Sequence, residues 1–239
     1  MTGAVSTFRN EVDIAEACIR HLLDEGIGRV LVADASTDGT RDILRRLEQE
    51  TGRVAWVEDN EPYHLQPQWM DQLAADIKTD WIIPFDADEF WLTTTGQSVA
   101  LELHRLPEDI QSLPVRLWHH FDWDHKYAVP ERLPKVAYRY SSDAHLGPGN
   151  HTVTLPAGLE GLLEIRHYQY RGYEHFVRKV MERNMTLAPA WRECGNGWHH
   201  TKLEGATDAQ LRTAWDTLTA AEVAYDPIHC RHRVDSRAA

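Results

Sequence analysis

The sequence predicts an α/β protein built on an open, twisted sheet with helices on both faces. Strand-like and helix-like segments alternate through the first ninety residues, as they do when parallel strands are joined by helical crossovers. Three of the four strand candidates in this part end in polar or acidic residues. Ligands of open α/β sheets bind at the carboxyl ends of the strands, so a binding site is expected there.

The first elements are a strand, a helix and a second strand. Residues 4–8, AVSTF, are a short strand candidate. Apolar residues recur at helical spacing over 13–25, and Gly26 and Gly28 close that segment. The second strand is RVLVAD, residues 29–34.

The same alternation continues to residue 85. Residues 36–52 supply a turn and a helix, and VAWVED at 54–59 is the third strand. A further helix is predicted over 67–78, and WIIPF at 81–85 is an apolar run suited to a strand buried on both faces. The order is therefore β-α-β-α-β-α-β.

The pattern changes to an α+β character after residue 95. Strands are predicted in PVRLWHHFDWD, KVAYRYS and LLEIRHYQY, and helices over 173–189 and 207–225. No break in composition occurs near residue 95. We therefore expect one domain over 1–239, with the later strands extending the first sheet.

Composition excludes some classes of function. The formal net charge of −12 argues against a general nucleic-acid binder, which would carry a basic face. The N-terminal segment lacks the features of a secretory signal, and no apolar run approaches the ~20 residues of a membrane-spanning helix. Three cysteines, Cys18, Cys194 and Cys230, do not suggest a disulfide framework. We expect a cytoplasmic protein without an integral membrane segment.

Three carboxylates, Asp86, Asp88 and Glu89, follow the fourth strand directly. Aspartate oxygens suit Mg²⁺ or Mn²⁺, which bridge to substrate phosphates. A polar loop with helix-capping acids would explain an isolated D-x-D motif equally well.

A second cluster, ADASTDGT, favours the ligand interpretation. There Ser36, Thr37 and Asp38 can cap the next helix, which leaves Asp34 free to accept hydrogen bonds from a ligand.

TFRNE, DASTDGT and WIIPFDADEFW, in this order and spacing, resemble the nucleotide-sugar half of a family 2 glycosyltransferase with the GT-A, Rossmann-like fold. The D-x-D-E-F ending is similar to that of bacterial proteins described as glycosyltransferase 2-like. PKVAYR, GNHTV and IRHYQYRGYEHFVRK continue the resemblance more weakly. It implies a nucleotide-sugar-binding half at 1–95 and an acceptor half with C-terminal helices at 96–239.

The resemblance also implies roles for single residues. The nucleobase and ribose pocket would be lined by Phe8, Arg9, Asn10, Glu11 and Asp34. Asp86 would contact ribose or metal, and Asp88 would bind the metal. His167 lies where such enzymes often place a third metal ligand, although a histidine beside Tyr168 could equally be structural.

Inverting transfer requires a carboxylate base within reach of the acceptor hydroxyl. The candidates are Asp122, Asp124, Asp143 and Glu174, and we favour Asp122 or Asp124. Both lie in an aromatic and histidine-rich stretch, 118–127, which could stack on a sugar or could be a half-buried strand and turn.

Among the basic residues, Arg171 is the preferred phosphate ligand because it lies in the turn after the predicted metal-binding histidine. Arg178 and Lys179 are instead assigned to a solvated helix face. A zinc site formed by the C-terminal Cys and His residues is not favoured, because their spacing fits no common finger. Those residues are Cys194, His199, His200, Cys230 and His232.

The sequence therefore predicts a metal-dependent glycosyltransferase that uses a UDP- or GDP-sugar, Mn²⁺ or Mg²⁺, and an unidentified hydroxyl acceptor. Inversion at the anomeric carbon is expected. The sequence lacks Q-x-x-R-W, which argues against polysaccharide synthesis coupled to export. The alternative is a nucleotide-sugar-binding module without turnover, because no clear Glu-Asp pair marks the base.

Overall fold

A computed structural model describes residues 1–61, 65–186 and 203–232. Its strands are β1 (Thr2–Phe8), β2 (Arg29–Asp34), β3 (Val54–Glu58), β4 (Trp81–Pro84), β5 (Glu89–Thr93), β6 (Ser112–His119), β7 (His125–Tyr127), β8 (Lys135–Arg139), β9 (Leu163–His167) and β10 (Val223–Tyr225). Its helices are α1 (Ala15–Asp24), α2 (Thr40–Thr51), α3 (Gln66–Ile77), α4 (Val99–Arg105), α5 (Tyr173–Thr186) and α6 (Asp208–Thr219).

Eight of these strands form one mixed sheet in the order β3-β2-β1-β4-β8-β6-β9-β5. The first four are parallel, as expected for strands joined by helical crossovers. β8 then runs antiparallel to β4, and β9 runs parallel to β6 and antiparallel to β5. The predicted α/β class is confirmed, and the later strands extend the first sheet.

The apolar pattern of each helix places it on one face of this sheet. The buried residues of α1, α2 and α4 belong to one core cluster, and those of α3 belong to a second. β4 contributes to both clusters, since Ile83 packs in the first and Ile82 in the second. The apolar run at 81–85 is therefore buried on both faces, and helices cover both sides of the sheet.

The ends of the helices follow local rules. Gly52 ends α2 in the left-handed conformation, with φ of 61°, and its N–H donates to the carbonyl of Glu48 at 3.0 Å. α6 begins with a capping box, in which Thr207 and Gln210 exchange side-chain and backbone hydrogen bonds. Such contacts satisfy the backbone groups that a helix end leaves without partners.

The sequence prediction was wrong for the last element. A helix was expected over 207–225, but α6 ends at Thr219, and Val223–Tyr225 pair antiparallel with His125–Tyr127. The pairing supplies backbone partners to β7, whose groups would face solvent if residues 223–225 were helical. Beyond it, Ile228 is buried and donates its N–H to the carbonyl of Trp123 at 2.7 Å.

Two further elements, β5 and α4, were not predicted. β5 begins inside the acidic stretch at Glu89 and pairs antiparallel with β9. Phe90 and Trp91 are fully buried in it. A short strand that carries both a buried carboxylate and buried aromatic residues does not alternate between apolar and polar residues. The apolar pattern of the sequence therefore did not predict it.

Within residues 1–61, 65–186 and 203–232, no helix has the length and apolar character needed to cross a membrane.

His120 should make the fold sensitive to acid. The residue is 3% exposed, and burial, opposed by Asp226, lowers its pKa to about 4. The unfolded chain binds this proton near pH ~6.5, so stability is lost as the pH falls below that value. Between about pH 7.5 and about pH 5, His120 alone should remove about 2 kcal/mol from the free energy of unfolding.

Urea unfolding of wild type and His120→Gln at the two pH values would measure this effect. The variant should lose less stability than wild type on acidification. The control is His104→Gln, which removes an exposed histidine of α4. Equal acid losses in wild type and His120→Gln would contradict the assignment.

Candidate active site

The sheet register brings several polar strand ends to one edge. Phe8 at the end of β1 pairs with Asp34 at the end of β2, and β4 runs parallel to β1 on its other side. The acidic turn after β4 therefore leaves the same edge. On the far side of the sheet, Glu89 of β5 lies opposite His167, the last residue of β9. Residues from four strands thus converge around this turn.

Asp88 of the turn is almost fully enclosed, with 2% exposure. Its Oδ1 lies 3.2 Å from His167 Nε2, and its Oδ2 contacts the ammonium of Lys179. Arg171 NH1 lies 3.7 Å from the same Oδ2. Burial raises the pKa of Asp88, but Lys179 and His167 outweigh burial and hold the pKa well below its usual value. Asp88 is therefore ionised at neutral pH.

His167 complements this charge as a neutral imidazole. Burial lowers its pKa to about 4, although Asp88 acts in the opposite direction. Its Nδ1 is buried and has no hydrogen-bond partner among the described residues. The ring also lies 5.0 Å from that of His119, measured between centroids. A neutral imidazole can donate to Asp88 or bind a metal through Nε2.

Asp86 and Glu89 share one buried cation. Lys135, the first residue of β8, is 4% exposed, and its Nζ lies 2.8 Å from both Asp86 Oδ2 and Glu89 Oε1. Gln66 Nε2 donates to Asp86 Oδ1 at 2.8 Å. Burial raises the pKa of Glu89 to about 8, with Asp86 adding to the shift and Lys135 opposing it. Asp86 is thus held by two side chains from different elements.

Asn10 organises the loop after β1. Its φ of 57° is left-handed, a conformation that asparagine tolerates better than most residues. Its N–H donates to Ser36 Oγ at 2.9 Å, and its Oδ1 accepts the N–H of Thr37 at 2.9 Å. Glu11 adds a backbone donation to Thr40 Oγ1 at 3.0 Å. The loops after β1 and β2 are therefore joined into one rim.

Asp34 is fully buried at this rim. Its Oδ1 has no hydrogen-bond partner in the described part of the chain, whereas its Oδ2 accepts from Arg41 Nε at 3.0 Å. Asp38 receives the N–H of Thr40, as expected if Asp34 is not needed for capping. The first turn of α2 presents Arg41 to the other oxygen of Asp34, a contact that the sequence did not predict. One oxygen is left for a ligand.

Phe8 and Arg9 occupy different surroundings. Phe8 is 2% exposed and packs edge-on against Phe85, with ring centroids 5.8 Å apart. Its side chain thus belongs to the core, which corrects the expectation that it lines a pocket. Arg9 donates through NH2 to the carbonyl of Glu61 at 3.4 Å. Its Nε has no partner among the residues that the structure describes.

Arg171 does not have the free guanidinium expected of a phosphate ligand. Its Nε lies 2.5 Å from Asp13 Oδ2, and its NH2 lies 2.6 Å from Glu11 Oε2. The side chain is 6% exposed. Glu11, Asp13 and His175 bring donor atoms within 4.8 Å of one another, and Arg171 binds the two carboxylates of that group. Its fixed fork of donors anchors the start of α5 to the loop after β1.

Lys179 was assigned to a solvated face, and the structure contradicts this. The side chain is 13% exposed, and besides Asp88 it reaches Glu11 Oε1 at 3.5 Å. Its neighbour Glu182 accepts from Asn10 Nδ2 at 3.0 Å. His175, Lys179 and Glu182 are spaced four and three residues apart, which places them on one face of a helix. That spacing could have indicated from the sequence that these residues face the site together, but the sequence interpretation missed it. It also missed Lys135.

The candidate bases lie in a turn beside β9. Asp122 Oδ1 accepts the N–H groups of Asp124 and His125 at 2.7 Å and 2.8 Å, and its side chain is 45% exposed. Between them, Trp123 packs on Tyr168 with centroids 5.0 Å apart. The amide of Tyr168 in turn donates to the carbonyl of Asp88 at 2.8 Å. The turn is therefore adjacent to the site, and its base role stays a prediction.

The other sequence candidates are exposed, have other partners or lie outside the described residues. Asp143 and Glu174 are exposed. Of the possible zinc ligands, Cys194, His199 and His200 lie outside the described residues. Cys230 donates to the carbonyl of Ala17 at 3.7 Å, and His232 lies 3.3 Å from Asp24.

Comparison with protein families gives one match, to the family described as "Glycosyl transferase family 2", over residues 4–152. The matched segment spans β1 to β8 and more than half of the chain. It contains the polar residues that follow β1, end β2 and follow β4 at the sheet edge. No curated protein matches the sequence significantly.

Several solved structures are similar to this chain at low identity. S. aureus TarS 1-349 in complex with UDP-GlcNAc is 12% identical with a TM-score of 0.51, covering 92% of this chain and 76% of that one. A second S. aureus TarS structure is 13% identical with a TM-score of 0.50, covering 79% and 41%. HddC from Yersinia pseudotuberculosis is 13% identical with a TM-score of 0.42, covering 68% and 92%. This chain thus matches less than half of the longer TarS chain.

Removing the cation of Lys135 should destabilise the protein strongly. Lys135→Met leaves the fully buried Glu89 and the 27% exposed Asp86 without their common cation, which should cost roughly 3 to 5 kcal/mol. Urea unfolding at neutral pH measures this loss. Lys78→Met makes the same chemical change at an exposed position and serves as the control. A loss similar to that of the control would show that Lys135 is not required.

Proposed function

The chain belongs to glycosyl transferase family 2 and is a glycosyltransferase, and we propose that it moves a sugar from a nucleotide-diphosphate sugar to a hydroxyl acceptor with inversion. The observation that carries the proposal is the convergence of Asp34, Asp86 and the Asp88–His167 pair at one sheet edge. In such sheets this edge is where nucleotide ligands bind.

The Asp88–His167 pair fits a divalent cation. Asp88 Oδ1 and His167 Nε2 lie 3.2 Å apart. Adjacent ligands of an octahedral ion with bonds of about 2.1 Å are separated by about 3 Å, so the two atoms could bind one ion. We propose that Asp88, His167 and Asp86 hold Mn²⁺ or Mg²⁺. Such an ion, when bound, offsets the negative charge of the diphosphate leaving group.

We propose that the rim formed by the first two loops binds the nucleoside. Asp34 Oδ1 is a buried acceptor that lacks a partner among the described residues, and a ribose hydroxyl would satisfy it. Arg9 and the Asn10–Glu11 backbone flank this position. The TarS structure with UDP-GlcNAc makes a UDP-sugar the first donor to test, followed by a GDP-sugar.

The proposed reaction forms one bond and breaks another. The acceptor oxygen bonds to the anomeric carbon while the bond from that carbon to the diphosphate oxygen breaks, which releases a nucleoside diphosphate. A carboxylate takes the acceptor proton. We propose Asp122 or Asp124 for this role. The hydrogen bonds from Asp124 and His125 fix the orientation of the Asp122 carboxylate, and its 45% exposure leaves it accessible.

We further propose that residues 1–95 form the donor half and residues 96–239 the acceptor half of one domain. Because β8 and β9 of the later part supply Lys135 and His167 to the donor site, the two halves meet at that site. A cytoplasmic location is proposed from the low number of cysteines.

Asp88→Asn should abolish donor turnover. Purified protein is incubated with UDP- and GDP-sugars plus Mn²⁺, and release of the nucleoside diphosphate is followed. Loss of the carboxylate should reduce release by about 100-fold or more, since charge stabilisation of the leaving group is lost. Asp42→Asn, at an exposed position of α2, should behave like wild type.

Thermal shift separates binding from turnover in the same samples. Stabilisation should follow RT ln(1 + [L]/Kd) and should require the metal. Tight donor binding without release of nucleotide, whichever acceptor is supplied, would support the binding-module alternative.

Asp122→Asn and Asp124→Asn test the base. The correct residue should lower kcat by about 100-fold or more while leaving the donor Kd unchanged, because the base acts on the acceptor. The other variant, which has the same change two residues away, is the matched control. If both variants retain kcat, the base lies elsewhere.

A further inference from the structure

The ammonium of Lys179 is surrounded by oxygen atoms that could also bind a metal ion. It contacts Asp88 Oδ2, lies 3.3 Å from the carbonyl of Gln169 and lies 3.5 Å from Glu11 Oε1. The side chain is 13% exposed. Carboxylate and carbonyl oxygens are the donors that hard divalent cations prefer. The ammonium of Lys179 therefore occupies a position whose oxygen donors are of the kind that bind a divalent cation.

Lys179 and a divalent ion cannot both be close to Asp88 without strong repulsion between like charges in a buried place. Asp88 Oδ1 faces His167, so an ion bound by both residues would lie next to the oxygen that Lys179 contacts. The ammonium would then have to move away.

The helix that carries Lys179 has other attachments. In the turn before this helix, Arg171 donates to Asp13 through Nε and to Glu11 through NH2, and Glu182 of the helix accepts from Asn10. On the opposite side, Phe176 and Val180 of α5 pack in an apolar cluster with α6. These contacts do not use Asp88 as their main partner. The long side chain of Lys179 can therefore exchange its partner while α5 keeps its position.

We propose that Lys179 competes with the divalent cation for Asp88 and, once displaced, binds the diphosphate of the donor. This inference rests on the proposed function and assigns the donor site a second cation besides the metal. Lysine binds phosphate as a mobile point charge, whereas the fork of Arg171 is already committed to carboxylates. Before donor binding, Lys179 neutralises Asp88, and afterwards it neutralises the leaving group.

Mn²⁺ titration followed by electron paramagnetic resonance tests the competition without any turnover. In the absence of nucleotide, Lys179→Met should bind Mn²⁺ roughly 10-fold more tightly than wild type, because the competitor is gone. A merely structural role of Lys179 would not tighten metal binding. Arg178→Met removes the same charge from the adjacent position of α5 and should leave Mn²⁺ affinity as in wild type.

Calorimetry with UDP and with GDP, in saturating Mn²⁺, tests the phosphate role. Lys179→Met should weaken binding of the nucleoside diphosphate that wild type prefers by roughly 10-fold, while Lys179→Arg should retain most of the affinity. If the methionine variant shows an altered circular dichroism spectrum, Lys179→Gln replaces it in both experiments.

Unchanged Mn²⁺ affinity in the Lys179 variant, or unchanged nucleotide affinity, overturns the inference. If neither wild type nor variant binds Mn²⁺, competition is also overturned. In that case, release of nucleotide from the donor in EDTA shows separately that the glycosyltransferase proposal stands without the metal.

Discussion

The site depends on compensation of buried negative charge. Asp34, Asp88 and Glu89 at the sheet edge are almost fully enclosed and Asp86 is partly enclosed, and an uncompensated buried charge costs several kcal/mol. Each therefore has a cation from a different element: Arg41 of α2 for Asp34, Lys135 of β8 for Asp86 and Glu89, and Lys179 of α5 for Asp88. These ion pairs thus connect α2, α5 and β8 to the carboxylates at the ends of the first strands.

This arrangement explains why the two parts of the chain share one sheet. Two of the cations and the neutral His167 come from beyond residue 95, while the carboxylates that they meet come from before it. Replacing buried ion pairs by apolar residues often leaves stability unchanged. Their presence here therefore fits the proposed function better than a role in stability alone, since the proposed donor and ion would meet preformed charges.

The sequence predicted the α/β fold and the family, because parallel strands and their crossovers leave a strong local pattern. It also predicted that polar residues collect at the strand ends. The partners of those residues could not be predicted, because they depend on which side chains the fold brings together. Lys135 begins an ordinary strand, and Lys179 lies among polar residues that are equally typical of a solvated helix. The pairing of β10 with β7 joins segments almost a hundred residues apart, so a helix seemed the simpler interpretation of 207–225.

The β7–β10 ribbon has a consequence for how the chain can be cut or fused. Ile228 is 1% exposed in the main core, and the N–H of Asp226 donates to the carbonyl of Asp124. The last described residues therefore support the turn that carries the candidate bases. An expression boundary drawn at the end of α6 would keep all four parallel strands and the rim that we propose binds the nucleoside. It would nevertheless remove residues 220–232, which support the turn with the candidate bases, so under the proposed function this trimming would impair transfer more than donor binding.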